Sequence, residues 1–212
     1  MRRWPVQDDL HNGAAVGGRM MNAQADTGGA VGLPVHEQVY RRLRDMVLFG
    51  DLEPGQPVTI QGLVETLGAG MTPVREALRR LTAEGALEAL GNRRITVPQL
   101  DAAALSELTE ARLALEPALA QRAARRITPD DIAALRDTDG RLDRAIARGD
   151  VGRYLQENHR FHAQLNAVAS APILTALVDG LWLRFGPSLR VVCGQVGTRG
   201  LPDRHKDLLE AL

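Results

Sequence analysis

Cysteine is nearly absent from this chain. Cys193 is the single one among 212 residues, so no disulfide framework can form within the chain, and a reducing compartment is expected. Aromatic residues are scarce at 3%. A core must then be assembled from Leu, Val, Ile and Ala, which favours helix packed on helix over a β-sandwich. No apolar run reaches the ~18 residues that a membrane span needs. The N-terminus opens with Met1-Arg2-Arg3-Trp4 but turns polar at Asp8 and Asp9, without the apolar stretch of a signal peptide. A cytoplasmic protein is expected. Charge of one sign is not in excess either: 26 basic residues face 26 acidic ones. That balance argues against a histone-like binder of nucleic acid, and leaves room for positive charge confined to one face. Nucleophile elbow, phosphate-binding glycine loop and paired-cysteine zinc motif are all missing.

What is present is an ordinary globular composition, 44% hydrophobic and 25% charged. The length suits one large domain or two small ones. Residues 1–33 are rich in Gly, Ala, Asn, Gln and Asp with no apolar period, which predicts a disordered tail. Met20 and Met21 are alternative starts within it. From Pro34 onward Val35, Val39, Leu43 and Met46/Val47 recur at helical spacing, and Gly50 reads as a stop. Thr59 reads as the N-cap of a second helix with Ile60, Leu63, Val64 and Leu67 inward and Gly68 as its end. Thr72 and Pro73 read as N-cap and first residue of a third helix, whose buried stripe is Val74, Ala77, Leu78 and Leu81. Two short extended pieces, Ala86–Leu90 and Ile95–Pro98, flank a hairpin tip at Gly91-Asn92-Arg93-Arg94. Helix, helix, turn, helix, hairpin over residues 34–98 is the order of a winged helix-turn-helix; some other small α+β domain fits the pattern about as well.

Residues 101–212 read as an all-α bundle. Asp101 can cap a helix through Leu115 that is interrupted at Glu116-Pro117, with a further segment to Arg126. Thr128-Pro129, Asp150 and Pro172 each open another helix, and a last apolar segment runs from Pro202 off the end. The expected fold is therefore mainly α, a winged helix-turn-helix followed by a helical bundle.

A recognition helix needs small or polar residues at its start and long donors on one face. Thr72, Pro73, Arg75, Arg79 and Arg80 meet that need. Arg75 can offer a bidentate fork to guanine, Arg79 and Arg80 a contact to backbone phosphate, and Arg93 and Arg94 a wing-tip contact. The bland reading is a solvated face with pairs such as Glu76–Arg80 and Arg80–Glu84. Basic and acidic residues are equal in number over residues 35–98, so any DNA face must come from arrangement.

The stretch Leu67-Gly68-Ala69-Gly70-Met71-Thr72-Pro73-Val74-Arg75-Glu76-Ala77-Leu78-Arg79-Arg80-Leu81, followed by Glu84-Gly85, closely resembles the reading head of the GntR family of bacterial regulators. Phe49-Gly50-Asp51-Leu52-Glu53-Pro54-Gly55 resembles that family's turn after the first helix. The rest of the chain resembles the FCD effector domain of the FadR subgroup. The resemblance implies a homodimeric regulator that binds a double-stranded operator and is gated by a small organic acid. Two departures stand out. Met71 occupies a position where the family often has Arg, and Gln61 matches an Arg seen in some members. They imply a different operator or weaker binding.

Asn158 and His162 lie four apart, on one helical face, and with His205 can converge on a divalent metal. Read from the residues alone, satisfied or exposed histidines account for the pattern better. The resemblance adds weight, because FCD domains commonly carry Asp or Asn, a His four residues on, and two more His on later helices. Asn158, His162 and His205 match the first three, which implies one divalent ion, Zn, Ni, Mn or Fe. A fourth ligand would lie past Leu212, and the chain reads as truncated inside a helix. Arg112 either clamps a carboxylate effector or pairs with Glu116. A metal-dependent enzyme built on His162 and His205 lacks an acid or base beside the metal, and a regulator damaged by truncation is the third reading. No catalytic residue is expected.

Overall fold

In the computed structural model, residues 33–91, 94–197 and 204–212 are described. The predicted tail lies outside them apart from Leu33. Helix α1 (Val35–Leu48) buries Val39, Leu43 and Val47 along one stripe. Beyond it the chain turns at Gly50, whose φ of +68° suits glycine. A two-residue strand β1 (Pro57–Val58) leads into α2 (Ile60–Leu67). Thr59 caps α2 by accepting from the Gly62 amide, and Gly68 ends it in the left-handed conformation.

Helix α3 (Met71–Ala83) begins earlier than its sequence suggests. Its N-cap is Gly70, in an extended conformation, and no side chain caps it. Thr72 and Pro73 are therefore the second and third helical residues, and Thr72 is not the cap. Proline is accepted there because the first four amides of a helix have no intrahelical acceptor. Val74, Ala77, Leu78 and Leu81 are buried as the stripe predicts. Strands β2 (Glu88–Leu90) and β3 (Arg94–Thr96) pair antiparallel, with Leu90 opposite Arg94. Strand β1 adds to the other side of β3, giving the order β1-β3-β2. Sequence reading passed over β1, which is too short to show a period of its own. Arg94 opens β3; Asn92 and Arg93 lie outside the described residues.

Helix α4 (Ala102–Ala124) is capped by Asp101, whose carboxylate accepts from the Ala104 amide. The expected break at Glu116-Pro117 does not occur: α4 runs through Pro117. One missing proline amide is affordable when both flanks are packed, and Leu108, Leu119 and Ala123 of this helix are buried. Helix α5 (Pro129–Arg148) opens with a full capping box of Thr128 and Asp131. Asp150 caps α6 (Val151–Val168). Helix α7 (Pro172–Val196) follows, with Pro187 inside it, and α8 (His205–Ala211) is the last element.

A continuous core joins the two parts, with Leu43, Val47 and Leu78 in one network with Phe161, Trp182 and Leu183. A smaller cluster of Leu142, Ala145, Tyr154, Leu155 and Cys193 ties α5 and α6 to α7. Glu157 is wholly buried, yet it receives Arg141 at 3.0 Å, Arg153 at 2.6 Å and Arg160 at 3.6 Å. Helix α7 reaches the end of α1 at Gly186, where any Cβ would run into the Leu48 backbone.

Glycine inside a helix ordinarily costs about 0.5–1 kcal/mol relative to alanine. At residue 186 the sign reverses. Gly186→Ala is expected to lower stability by about 1–3 kcal/mol, read from the denaturation midpoint. A midpoint unchanged or raised would mean that the two backbones are not in contact.

Candidate nucleic-acid interface and ligand cavity

Because the α3 stripe faces inward, the opposite face of the helix looks to solvent. Thr72, Arg75 and Arg79 are exposed along it. Arg79 is held by Glu76, with nitrogen–oxygen distances of 3.1 and 2.6 Å. Arg75 makes no hydrogen bond or ion pair among the described residues, so its fork is uncommitted. Met71, at the first helical position, is 53% exposed, and Gln61 is exposed on α2.

Arg80 is differently placed. It donates to Glu37 at 2.9 Å, and its guanidinium lies 3.4 Å above the Tyr40 ring. The Tyr40 hydroxyl in turn donates to both Glu84 oxygens, at 2.8 and 2.9 Å. The pairs expected from helical spacing, Glu76–Arg80 and Arg80–Glu84, thus give way to Glu76–Arg79 and Glu37–Arg80. The reason is tertiary: α1 brings Glu37 and Tyr40 beside α3, and a buried ring beside a carboxylate is a better partner than a solvated helical pair. Arg41 and Arg80 together hold the Glu37 carboxyl below its usual range. Burial, then the bond to Glu84, raises the Tyr40 hydroxyl.

In the bundle, α4, α6 and α8 line an open cavity of about 390 Å³, within the size range of small-molecule sites. Arg112, Glu116 and Thr109 of α4 line it with His162 and Asn166 of α6, between apolar walls that include Leu113, Leu165 and Leu208. Both readings of Arg112 meet here. It faces the cavity, and it donates to Glu116 at 2.7 Å. It also lies 4.2 Å above the Trp182 ring.

The structure brings His162 and His205 together, with their Nε2 atoms 3.4 Å apart. Burial, reinforced by His205 and Arg112, pulls the His162 pKa down to about 3, so its ring is neutral. His205 is buried, and its Nδ1 lies 3.7 Å from an Asp139 oxygen. Asn158 lies one turn before His162, half-buried. Among the described residues, no three His, Cys, Asp or Glu side chains form a cluster able to hold a metal. Sequence reading missed Asn166, which is buried and lines the cavity one turn after His162. The i, i+4 step from His162 was signal enough to find it. His159 faces away from the cavity, as its offset along α6 predicts. Its ring meets Phe49 and Trp182 edge-on, and burial lowers its pKa to about 4.

A winged helix-turn-helix with an exposed polar face on its third helix, set on a cavity-bearing helical bundle, defines a DNA-binding transcription regulator. The chain belongs to the GntR family: the pattern described as bacterial regulatory proteins, gntR family, matches residues 35–97, and that of the FCD domain matches residues 107–212. It is 34% identical over 152 residues to the HTH-type transcriptional regulator McbR of Escherichia coli, covering 72% of this chain and 69% of that protein. The solved structure of E. coli McbR/YncC superposes with a TM-score of 0.77 at 30% identity, covering 84% of this chain and 87% of the other. A GntR regulator from Rhodococcus shares the fold, with a TM-score of 0.66 at 19% identity over 82% of this chain and 83% of the other. These relatives are regulators, not enzymes. No helix among the described residues is long and apolar enough to cross a membrane.

Two half-buried neutral histidines make stability sensitive to acid. The unfolded chain takes up these protons near pH 6.5, whereas the folded chain holds His159 at about 4 and His162 at about 3. Stability is full above pH 6.5 and declines as pH falls below it, because the unfolded state then binds more protons. In an NMR titration, both ring resonances should remain those of neutral imidazole at pH 5.5. Midpoints near 6.5 would contradict the burial of these rings.

Proposed function

We propose that this chain is a regulator of the FadR subgroup that binds a palindromic operator as a homodimer and releases or engages it in response to a small carboxylate. The observation that carries the reading is the uncommitted Arg75 on the exposed face of α3, within a head whose sequence matches the GntR family. Thr72 and Pro73 at the helix start allow close approach to a phosphate, since the first amides of a helix favour an anion. Arg75 reads a base edge. Arg79 contacts the backbone, and Arg94 extends the contact from the wing. Arg80 supports the head from within through Tyr40 and Glu37, and reaches phosphate only at its outer edge. Two-fold symmetry in the dimer matches two half-sites. Exposed Ile173 and Leu177, four apart on α7, are apolar surface that a second copy would cover.

The effector occupies the cavity, its carboxylate competing with Glu116 for the Arg112 fork. A divalent ion fits the His162–His205 pair. Two nitrogens on one tetrahedral zinc at about 2.0–2.1 Å stand about 3.3 Å apart, and the pair is 3.4 Å apart. Asn158 on the same face of α6 would complete the set, with Asp139 orienting His205. Such an ion would supply a Lewis-acidic anchor for the effector's oxygens. Equilibrium dialysis against zinc or nickel should give saturable binding that His162→Ala abolishes; equal uptake by both proteins would remove the metal from the reading.

The regulator reading is tested by selecting duplexes from a random library with wild type and Arg75→Ala side by side. Wild type should recover a short palindrome. Arg75→Ala should lose discrimination at one base pair per half-site, by about 1–3 kcal/mol. Identical consensus sequences from the two proteins would remove Arg75 from base reading, and no enrichment by wild type would sink the reading as a whole.

A further inference from the structure

Two rings separate the ligand cavity from the reading head. Arg112 lines the cavity, and its guanidinium lies over Trp182. The Trp182 ring stands 5.6 Å from His159, edge-on, and His159 stands 5.8 Å from Phe49, again edge-on. Phe49 is the C-cap of α1, and its carbonyl accepts from Arg190 of α7 at 3.1 Å. Helix α1 shares its core with α3 through Leu43 and Leu78. Every step from the cavity to the reading helix is thus a packed contact, and packed interiors pass on displacement because they have little slack.

The stack also has a part that an anion can disturb. Arg112 is divided between the Glu116 carboxylate, at 2.7 Å, and the Trp182 face. An anion in the cavity competes for the same guanidinium. Trp182 is only 4% exposed, yet its indole N–H has no hydrogen-bond partner among the described residues. Buried tryptophans ordinarily anchor that group. Here the ring is held by its neighbours alone, so a shift of Arg112 shifts it.

We propose that Trp182 and His159 are the positioning residues through which the cavity sets the placement of the reading head: drawing Arg112 off Trp182 repacks Trp182 on His159 and His159 on Phe49, and so changes operator affinity. This rests on the regulator reading above and names the route of its control. The route can act only by favouring one head arrangement over another, a coupling that typically amounts to a factor of about 5–150.

The test needs no effector, because Arg112→Gln withdraws the guanidinium by itself. Operator affinity is measured by fluorescence anisotropy, with the selected duplex as probe, for wild type, Arg112→Gln, His159→Leu and the double variant. A parallel cycle uses Trp182→Phe, in case the leucine disturbs the fold. Arg112→Gln should change the operator Kd at least about fivefold in the wild-type background and less than about twofold with residue 159 or 182 substituted. In a Trp4→Phe protein, where Trp182 is the remaining tryptophan, adding the duplex should shift the emission, and His159→Leu should abolish that shift. A change of equal size in all backgrounds, or an Arg112→Gln protein that binds like wild type, overturns the coupling while leaving the regulator reading intact. A wild type that binds no duplex overturns both.

Discussion

Helix α7 can carry the reading head only because residue 186 has no side chain. The backbone of α7 lies directly on that of Leu48 there, at the end of α1. Four residues on, Arg190 donates to the Phe49 carbonyl at 3.1 Å and faces Asp51 at 3.7 Å. The turn at Gly50 is also tight, since a Cβ would come within 2.6 Å of the Arg190 side chain. Backbone-to-backbone contact is less forgiving than contact between flexible side chains. The bundle therefore holds the head at one place through α7.

With equal numbers of both charges, placement decides what each arginine does. Glu37, Tyr40 and Glu84 absorb Arg80 into the head, and Glu76 tethers Arg79. In the bundle, the buried Glu157 gathers Arg141, Arg153 and Arg160. A buried carboxylate carries a desolvation cost that only several good partners offset. Among the described residues, Arg75 is the arginine of α3 that remains unpaired, and a guanidinium without such a partner is the one whose donors are free for a ligand. The cavity shows the opposite economy. Arg112 is already balanced by Glu116, and His162 is neutral, so the effector we propose would enter by exchange with a resident partner and not by attraction to a bare charge. Arg112 also packs on Trp182, which would place ligand recognition and ring packing on the same side chain.

The sequence by itself determined the local features. Thr59, Asp101, Thr128 and Asp150 are N-caps as read, Gly68 ends α2, and the stripe of α3 is buried as its spacing demands. The reading head was legible as a motif, and the i, i+4 logic of α6 found one half of the histidine pair. These features depend on interactions within a turn or two, which a linear pattern records. Tertiary structure decided the rest. Met71 joined α3 because Gly70 runs extended into it, and α4 passed through Pro117 because packed flanks outweigh one absent amide. Arg80 chose a partner on α1 43 positions away, and His162 met His205 across the same gap. Arg190 reached Phe49 across 141 positions. Contacts of that range leave no period in the chain, because their geometry exists only once the helices that carry them have been packed together.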